Sequence, residues 1–292
     1  MSFKIDSQLS ENQIESDVSS YLGYITPFWS KRFRLISVDE QTTGADKLFN
    51  RFIPIYLQFK VSHGLNPISP IALQFQKKPL ANIINYRKNN NLSGNPILYF
   101  QLRKQAKTAQ DLQHNILFQL NKPPQQYSLY VAPLTLEIAE YEKLLDADWL
   151  MKFYRFNPFF DRDFELHDTS SQRDILLGSN PFLRHHISIP PHTLVNTHDH
   201  HYSYSKSGGD VAWHGGEILS DDFRFSNQLL KILNTSYNRD FSFSQRQFIE
   251  FINDFDDYRN VNNNEDDIFQ ILRFSNYLKT THNIRMLLLQ FP

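Results

Sequence analysis

The chain has 292 residues, of which 40% are hydrophobic and 21% are charged, so it can bury a full core as an ordinary globular protein. No stretch approaches the ~18 to 20 consecutive apolar residues of a membrane helix, and the start lacks a secretory signal layout, so we expect a cytoplasmic protein without a membrane partner. The absence of cysteine excludes disulfides, thiolate metal ligands and cysteine nucleophiles.

Helices and strands alternate in the first half of the predicted structure. A capping box at Ser10–Gln13 opens a helix whose apolar residues recur at helical spacing. Residues 33–38 read as a strand, and residues 46–49 and 52–61 read as a hairpin after a turn at 42–44. The remaining elements are a helix from Pro79, a strand over 97–102, a helix capped by Thr108 together with Asp111, and a strand over 127–133.

The second half is less regular. Residues 185–214 indicate β structure, with a hairpin around the turn at 207–209. Helices capped by Ser220 and Ser244 and a last strand within 283–291 complete the chain. We therefore predict a domain over residues 1–145 and a C-terminal mixed α/β region over 146–292 that packs on it, with no role assigned.

Charge is distributed unevenly, although the formal net charge is only −1. No acidic residue occurs between Asp46 and Asp111, while lysine and arginine recur throughout that segment. Such a basic segment is typical of a protein that binds a phosphate-rich ligand, and the alternative is a solvated basic face. The candidate nucleic-acid-binding residues are Lys77, Lys78, Arg87, Lys88, Arg103, Lys104 and Lys107.

A polar pair lies on the strand at 52–61. Alternation directs Ile55, Leu57 and Phe59 to one side of the strand, and Gln58 and Lys60 to the other. The predicted hairpin would bring Asp46 close to this pair. A carboxylate beside an ammonium and an amide indicates a place for a hard cation and a phosphate, although a lone lysine at a strand end is more often a solvated edge residue.

Three short strings resemble the PD-(D/E)XK nuclease superfamily, in particular its Mrr-like QXK branch: "IE" at 14–15, "GAD" at 44–46 and "QFK" at 58–60. The resemblance covers roughly residues 10–134. It implies an α/β, restriction-endonuclease-like αβββαβ core with a mixed sheet, here followed by a β-hairpin and a helical C-terminal extension. Two departures are that no proline precedes Asp46 and that glutamine replaces the second acid.

The resemblance also implies roles for individual residues. Asp46 would be the metal-binding acid, Gln58 the replacement for the second acid, Lys60 the catalytic lysine and Glu15 the helix acid that supports the metal. The expected cofactor is Mg²⁺, with Mn²⁺ as an alternative. Because Gln58 is neutral, the site needs Glu15 or Glu40 as a second charge, and the Phe59 backbone carbonyl can add an oxygen. Lys60 would position or deprotonate the water, or stabilise the transition state.

Two further groups of polar residues are weaker candidates. Gln113 loosely resembles a helix glutamine of RecB-like nucleases, and His114 could reach a phosphate, but hydrogen-bonded helix residues are the commoner case. In "NTHDHHYSY", His198 and His200 share one face and Asp199 and His201 the other, a spacing that suits a transition metal. Histidines without metal are the more usual reading of such a cluster.

The predicted function is therefore a Mg²⁺-dependent endonuclease acting on DNA, with RNA as an alternative substrate. The resemblance suggests bacterial restriction or antiphage defence as the setting. A homodimer or a partner protein from a defence system is the expected assembly. The alternatives are a catalytically inactive nucleic-acid-binding module on the same fold and a metal hydrolase centred on His198 and His200.

Overall fold

The structure, a computed structural model, describes residues 3–25, 34–38, 51–92, 94–145, 165–168, 173–176, 181–214, 216–236, 241–258 and 266–290. The strands are β1 (Lys4–Ile5), β2 (Arg34–Ser37), β3 (Ile53–Phe59), β4 (His63–Leu65), β5 (Ile97–Gln101), β6 (Tyr127–Pro133), β7 (Glu165–Asp168), β8 (Arg173–Leu176), β9 (His186–Ile189), β10 (His201–Tyr204), β11 (Val211–Trp213), β12 (Glu217–Leu219) and β13 (Arg285–Gln290). The helices are α1 (Glu11–Ile25), α2 (Pro70–Leu73), α3 (Lys78–Asn89), α4 (Gln113–Leu120), α5 (Pro181–Arg184), α6 (Phe225–Ser236), α7 (Gln245–Asn253) and α8 (Asp267–His282).

Two larger sheets organise these elements. One has five strands in the order β2-β13-β3-β6-β9, and the other has six in the order β1-β4-β5-β10-β11-β12. The five-stranded sheet is mixed, because β3 pairs in parallel with β6 while its other pairs are antiparallel. The predicted α/β class is therefore confirmed, and the restriction-endonuclease-like arrangement stays a prediction.

The five-stranded sheet is covered on both faces. Apolar residues of α1 and α6 form one core cluster with the odd-numbered residues of β3. The opposite face packs on α4, α7, α8 and the six-stranded sheet, where Tyr56 of β3 lies. All seven residues of β3 are consequently buried, and this central position determines the surroundings of the polar pair at its end.

Two strand placements were not among the predictions made from the sequence. β5 pairs with β4 and β10 in the six-stranded sheet rather than joining β3. β13, from the end of the chain, lies between β2 and β3. Both sheets thus contain strands from either side of residue 145, so the predicted division at that residue does not coincide with a boundary between sheets. The hairpin residues 46–49 lie outside the described residues.

Local capping agrees with the sequence at some helices and not at others. Ser244 caps α7 as predicted, in a capping box with Gln247, and the Gln13 backbone N–H donates to the Ser10 hydroxyl at 3.2 Å. At α4 the N-cap is instead Leu112, which has no side-chain cap, and α6 begins at Phe225, beyond Ser220. Among the described residues, no helix is both long and apolar enough to cross a membrane.

Candidate active site

Lys60 follows the carboxyl end of β3 and is buried. Its backbone N–H donates to the Val131 carbonyl at 2.8 Å, which continues the parallel pairing with β6. Its side chain is only 4% exposed, so the solvated edge position weighed from the sequence is wrong. The ammonium donates to Oε1 of Gln113 at 3.3 Å and lies 3.9 Å from Oε1 of Glu11.

Burial sets the protonation behaviour of Lys60. Desolvation lowers the pKa of its ammonium to about 8; the carboxylate of Glu11 opposes the shift, and the charge of Arg103 adds to it. A lysine with a pKa near 8 supplies a neutral amine at mildly alkaline pH, which an exposed lysine does not. The site thus contains a group suited to accept a proton.

Two glutamines form the wall beside Lys60. The Gln113 amide donates to Oε1 of Gln58 and to the backbone carbonyl of His282. The Gln58 amide donates to the Phe59 carbonyl at 2.9 Å. Since both glutamines are buried and bonded to each other, the structure brings together three of the predicted site residues, and Gln113 connects Lys60 to Gln58.

A second network lies behind Gln113. The side chain of His282 contacts Oδ2 of Asp257 at 2.6 Å, and the Tyr277 hydroxyl donates to the same carboxylate. Burial alone would raise the pKa of Asp257, but hydrogen bonds from His282 and Tyr277 lower it overall. The network fixes the end of α8, whose last carbonyl accepts from Gln113. No sequence motif links these residues, so they were not predicted.

His114 is part of the core. Its Nδ1 lies 2.8 Å from the Tyr130 hydroxyl and its Nε2 lies 2.7 Å from the Thr193 carbonyl. The ring stacks on Trp213 with centroids 5.5 Å apart. Burial lowers the pKa of its imidazole to about 4, so the ring is neutral at physiological pH. The expectation that His114 reaches a phosphate is wrong because both ring nitrogens are already engaged.

The predicted helix acid, Glu15, forms ion pairs at the edge of the sheet. Its carboxylate accepts from Lys279, and from Arg285 at 2.9 Å. Glu11, one turn earlier on α1, is the carboxylate that approaches Lys60. Sequence reasoning did not consider Glu11, although spacing of four residues on one helix face could have suggested it.

The described residues near Lys60 do not by themselves make a divalent-cation site. Near Lys60 they offer the Glu11 carboxylate and the neutral oxygens of Gln58 and Phe59, both of which already accept hydrogen bonds. Within the described parts of the chain, no group of three or more histidine, aspartate or glutamate side chains could hold a metal ion. Asp46 and Glu40 lie outside the described residues, so this donor set suits Mg²⁺ only if Asp46 joins it.

The candidate nucleic-acid-binding residues fall into two groups. Arg87 is buried, and its guanidinium donates to the carboxylate of Asp210 and, at 3.0 Å, to the Asp210 carbonyl. The prediction for Arg87 is therefore wrong, because a buried and paired guanidinium is not presented to a polyanion. The other candidates are exposed: Lys77, Lys78, Lys88, Arg103, Lys104 and Lys107.

The histidine-rich segment packs around Trp213. His200 stacks on that indole with centroids 5.0 Å apart, and the nearest carboxylate to His198 is its neighbour Asp199 at 3.6 Å. His201 is buried on β10, and burial lowers the pKa of its ring to about 4. These contacts describe an aromatic cluster, and the described residues do not gather the histidines into a metal-binding group.

Comparison with known proteins gives no relative on which to base an assignment. No family model, no curated protein and no solved structure matches the chain. A functional assignment therefore depends on the chemistry of the Lys60 site.

Proposed function

We propose that the chain is a metal-dependent phosphodiester hydrolase that cleaves DNA, with Lys60 in its active site. The observation that carries the proposal is the buried amine of Lys60, with a pKa of about 8, held against Gln113 beside the carboxylate of Glu11. A buried lysine with a perturbed pKa and a specific charged neighbour is typical of a functional site. Cleavage of supercoiled plasmid in Mg²⁺ or Mn²⁺, compared with EDTA, tests it.

Lys60 acts as the base in this proposal. The neutral amine accepts a proton from water as the water oxygen bonds to phosphorus, and the ester bond to the leaving oxygen breaks. Gln113 fixes the position of the amine through its 3.3 Å hydrogen bond. A Mg²⁺ ion held by Glu11 and Asp46 would stabilise charge on the phosphoryl and leaving oxygens. Glu15 takes no part in this step, because its carboxylate is paired with Lys279 and Arg285.

Exposed cations extend from the site along the chain after β5. Arg103 is close enough to Lys60 for its charge to lower the lysine pKa, and Lys104 and Lys107 follow it on the surface. Phosphate contacts of this type hold a nucleic acid without reading its sequence. We propose that residues 103–107 bind the DNA backbone next to the scissile phosphate, in a restriction or antiphage setting.

Replacing Lys104 and Lys107 with glutamine should reduce the salt dependence of DNA binding. Each lost phosphate contact lowers the slope of log K against log salt by about 0.9 for duplex DNA, so the double variant should lose about 2. Fluorescence anisotropy at several salt concentrations measures the slope. The matched control replaces Lys143 and Lys231, two exposed lysines outside the basic segment. Equal slopes in the Lys104/Lys107 variant and the wild type would remove this surface from the proposal.

A non-catalytic DNA-binding module is the second candidate. It is favoured by the neutral Gln58, whose oxygen is already engaged by Gln113, because a site with few charges holds Mg²⁺ weakly. DNA binding with a steep salt slope and intact plasmid in Mg²⁺ and in Mn²⁺ would support this candidate instead.

A further inference from the structure

A polar pocket of about 350 Å³ lies beside α1, at the edge of the five-stranded sheet. It is distinct from the Lys60 site, and nothing in the proposed hydrolysis uses it. Its lining residues are Asn12, Glu15, Ser16, Ser19, Ser20, Lys279 and Arg285.

The polar face of α1 has a helical spacing. Ile14, Val18 and Leu22 are buried in the core cluster that α1 shares with β3. Positions 12, 15, 16 and 19 are related by three or four residues, so they share one face, which turns towards Lys279 and Arg285. The sequence therefore gives this helix a continuous row of amide and hydroxyl groups next to two cations.

The two cations of the pocket carry N–H groups beyond those that their described hydrogen bonds use. Arg285 donates to Glu15 and, at 3.2 Å and 2.8 Å, to the Ser37 hydroxyl, which engages three of the five N–H groups of a guanidinium. Lys279 donates to Glu15 and to Asn283, so one of its three N–H groups is left by these two bonds. The buried hydroxyl oxygen of Ser19 has no hydrogen-bond partner among the described residues.

The net charge of the lining residues also favours an anionic ligand. The two cations and Glu15 leave a formal charge of +1 on the lining residues. Glu15 holds both cations at the pocket wall through its ion pairs. A small, strongly accepting anion would satisfy the remaining donors, and guanidinium with hydroxyl groups is a common way to bind phosphate.

We infer that this pocket binds a phosphate group, either a terminal phosphate of a nucleic acid or a free phosphate monoester. Glu15 is four residues from Glu11, so the pocket lies about 6 Å further along α1 than the carboxylate that faces Lys60. A terminal phosphate of a nucleic-acid strand held there would place that strand beside the proposed catalytic lysine. Binding itself does not depend on hydrolysis.

Calorimetric titration in EDTA tests the inference without cleavage. The probes are inorganic phosphate, adenosine 5′-monophosphate and a short oligonucleotide with or without a 5′-phosphate. We expect saturable binding of the phosphorylated probes and an affinity about 10- to 100-fold lower in Lys279→Gln/Arg285→Gln. A 5′-phosphorylated oligonucleotide that binds more tightly than its unphosphorylated form identifies a nucleic-acid end, whereas monoester binding without that difference identifies a free phosphate.

A second variant guards against misfolding, since losing both cations leaves the buried Glu15 unpaired. Ser16→Ala/Ser20→Ala changes only exposed side chains and should weaken phosphate binding about 2- to 10-fold, while Lys143→Gln should not. If no phosphorylated probe binds, or if both double variants bind as the wild type does, the inference is overturned. If the protein cleaves plasmid but binds none of the phosphorylated probes, the phosphate pocket is refuted and the proposed hydrolysis is retained.

Discussion

Replacing Lys60 with methionine should lower the rate of Mg²⁺-dependent plasmid cleavage by about 10²- to 10⁴-fold, the usual contribution of a general base. Methionine keeps the length and burial of the side chain but cannot accept a proton. The charged partner left behind, Glu11, has a side chain that is 35% exposed and stays hydrated, so the variant should fold. Single-turnover cleavage, with circular dichroism for the fold, measures both effects.

The control for Lys60 is an exposed lysine. Lys143→Met removes an ammonium from the surface, away from the basic segment, and should cleave at the wild-type rate. DNA affinity should be similar in all three proteins, because the exposed residues 103–107 remain. Cleavage by Lys60→Met at the rate of Lys143→Met would remove Lys60 from the reaction and direct the search to another site.

Removing the carboxylate of Asp210 should destabilise the fold by about 3–5 kcal/mol, the cost of leaving a buried charge without its partner. Arg87 is 1% exposed, and its guanidinium donates to both the side-chain carboxylate and the backbone carbonyl of Asp210. The same carboxylate accepts from the Ser205 backbone N–H at 3.0 Å. Asp210→Ala therefore removes the charged contact between α3 and the β10–β11 hairpin, while the bonds from Arg87 to the backbone carbonyl of residue 210 and to the Ser203 hydroxyl remain. Urea unfolding followed by circular dichroism measures the loss.

An exposed ion pair gives the matched comparison. Arg246 and Glu250 lie 3.4 Å apart on α7 with side chains 89% and 66% exposed, and helix pairs of this kind contribute about 0.3–0.5 kcal/mol. Arg246→Ala should therefore change the free energy of unfolding several times less than Asp210→Ala. Similar losses in the two variants would mean that Arg87 finds water or another partner when Asp210 is absent.

Local patterns allowed part of the fold to be predicted. The strand over 127–133 has the same bounds in the sequence prediction and in the structure, because its residues are apolar on both faces. Ser244 also caps its helix as predicted. Both features depend on neighbouring residues alone, so a single sequence contains the necessary information.

Pairing between distant strands could not be predicted in the same way. β13 is as apolar as a buried strand should be, but nothing in its residues specifies a place between β2 and β3. The same limit applied to Lys60. Alternation placed it correctly opposite Phe59, yet its burial comes from α4 and the residues around His282, which are distant along the chain. The pairing of Arg87 with Asp210 across 123 residues is a third case.

The pH dependence of plasmid cleavage tests whether Lys60 is the base in hydrolysis. Burial places the pKa of Lys60 at about 8, and only the neutral amine accepts a proton, so the base is lost as the pH falls below that value. With Mg²⁺ present and chemistry rate-limiting, the account predicts a rate that rises about tenfold per pH unit below 8 and levels off above it. Intact plasmid at every pH, or a rate that falls as the pH rises through 8, would contradict it.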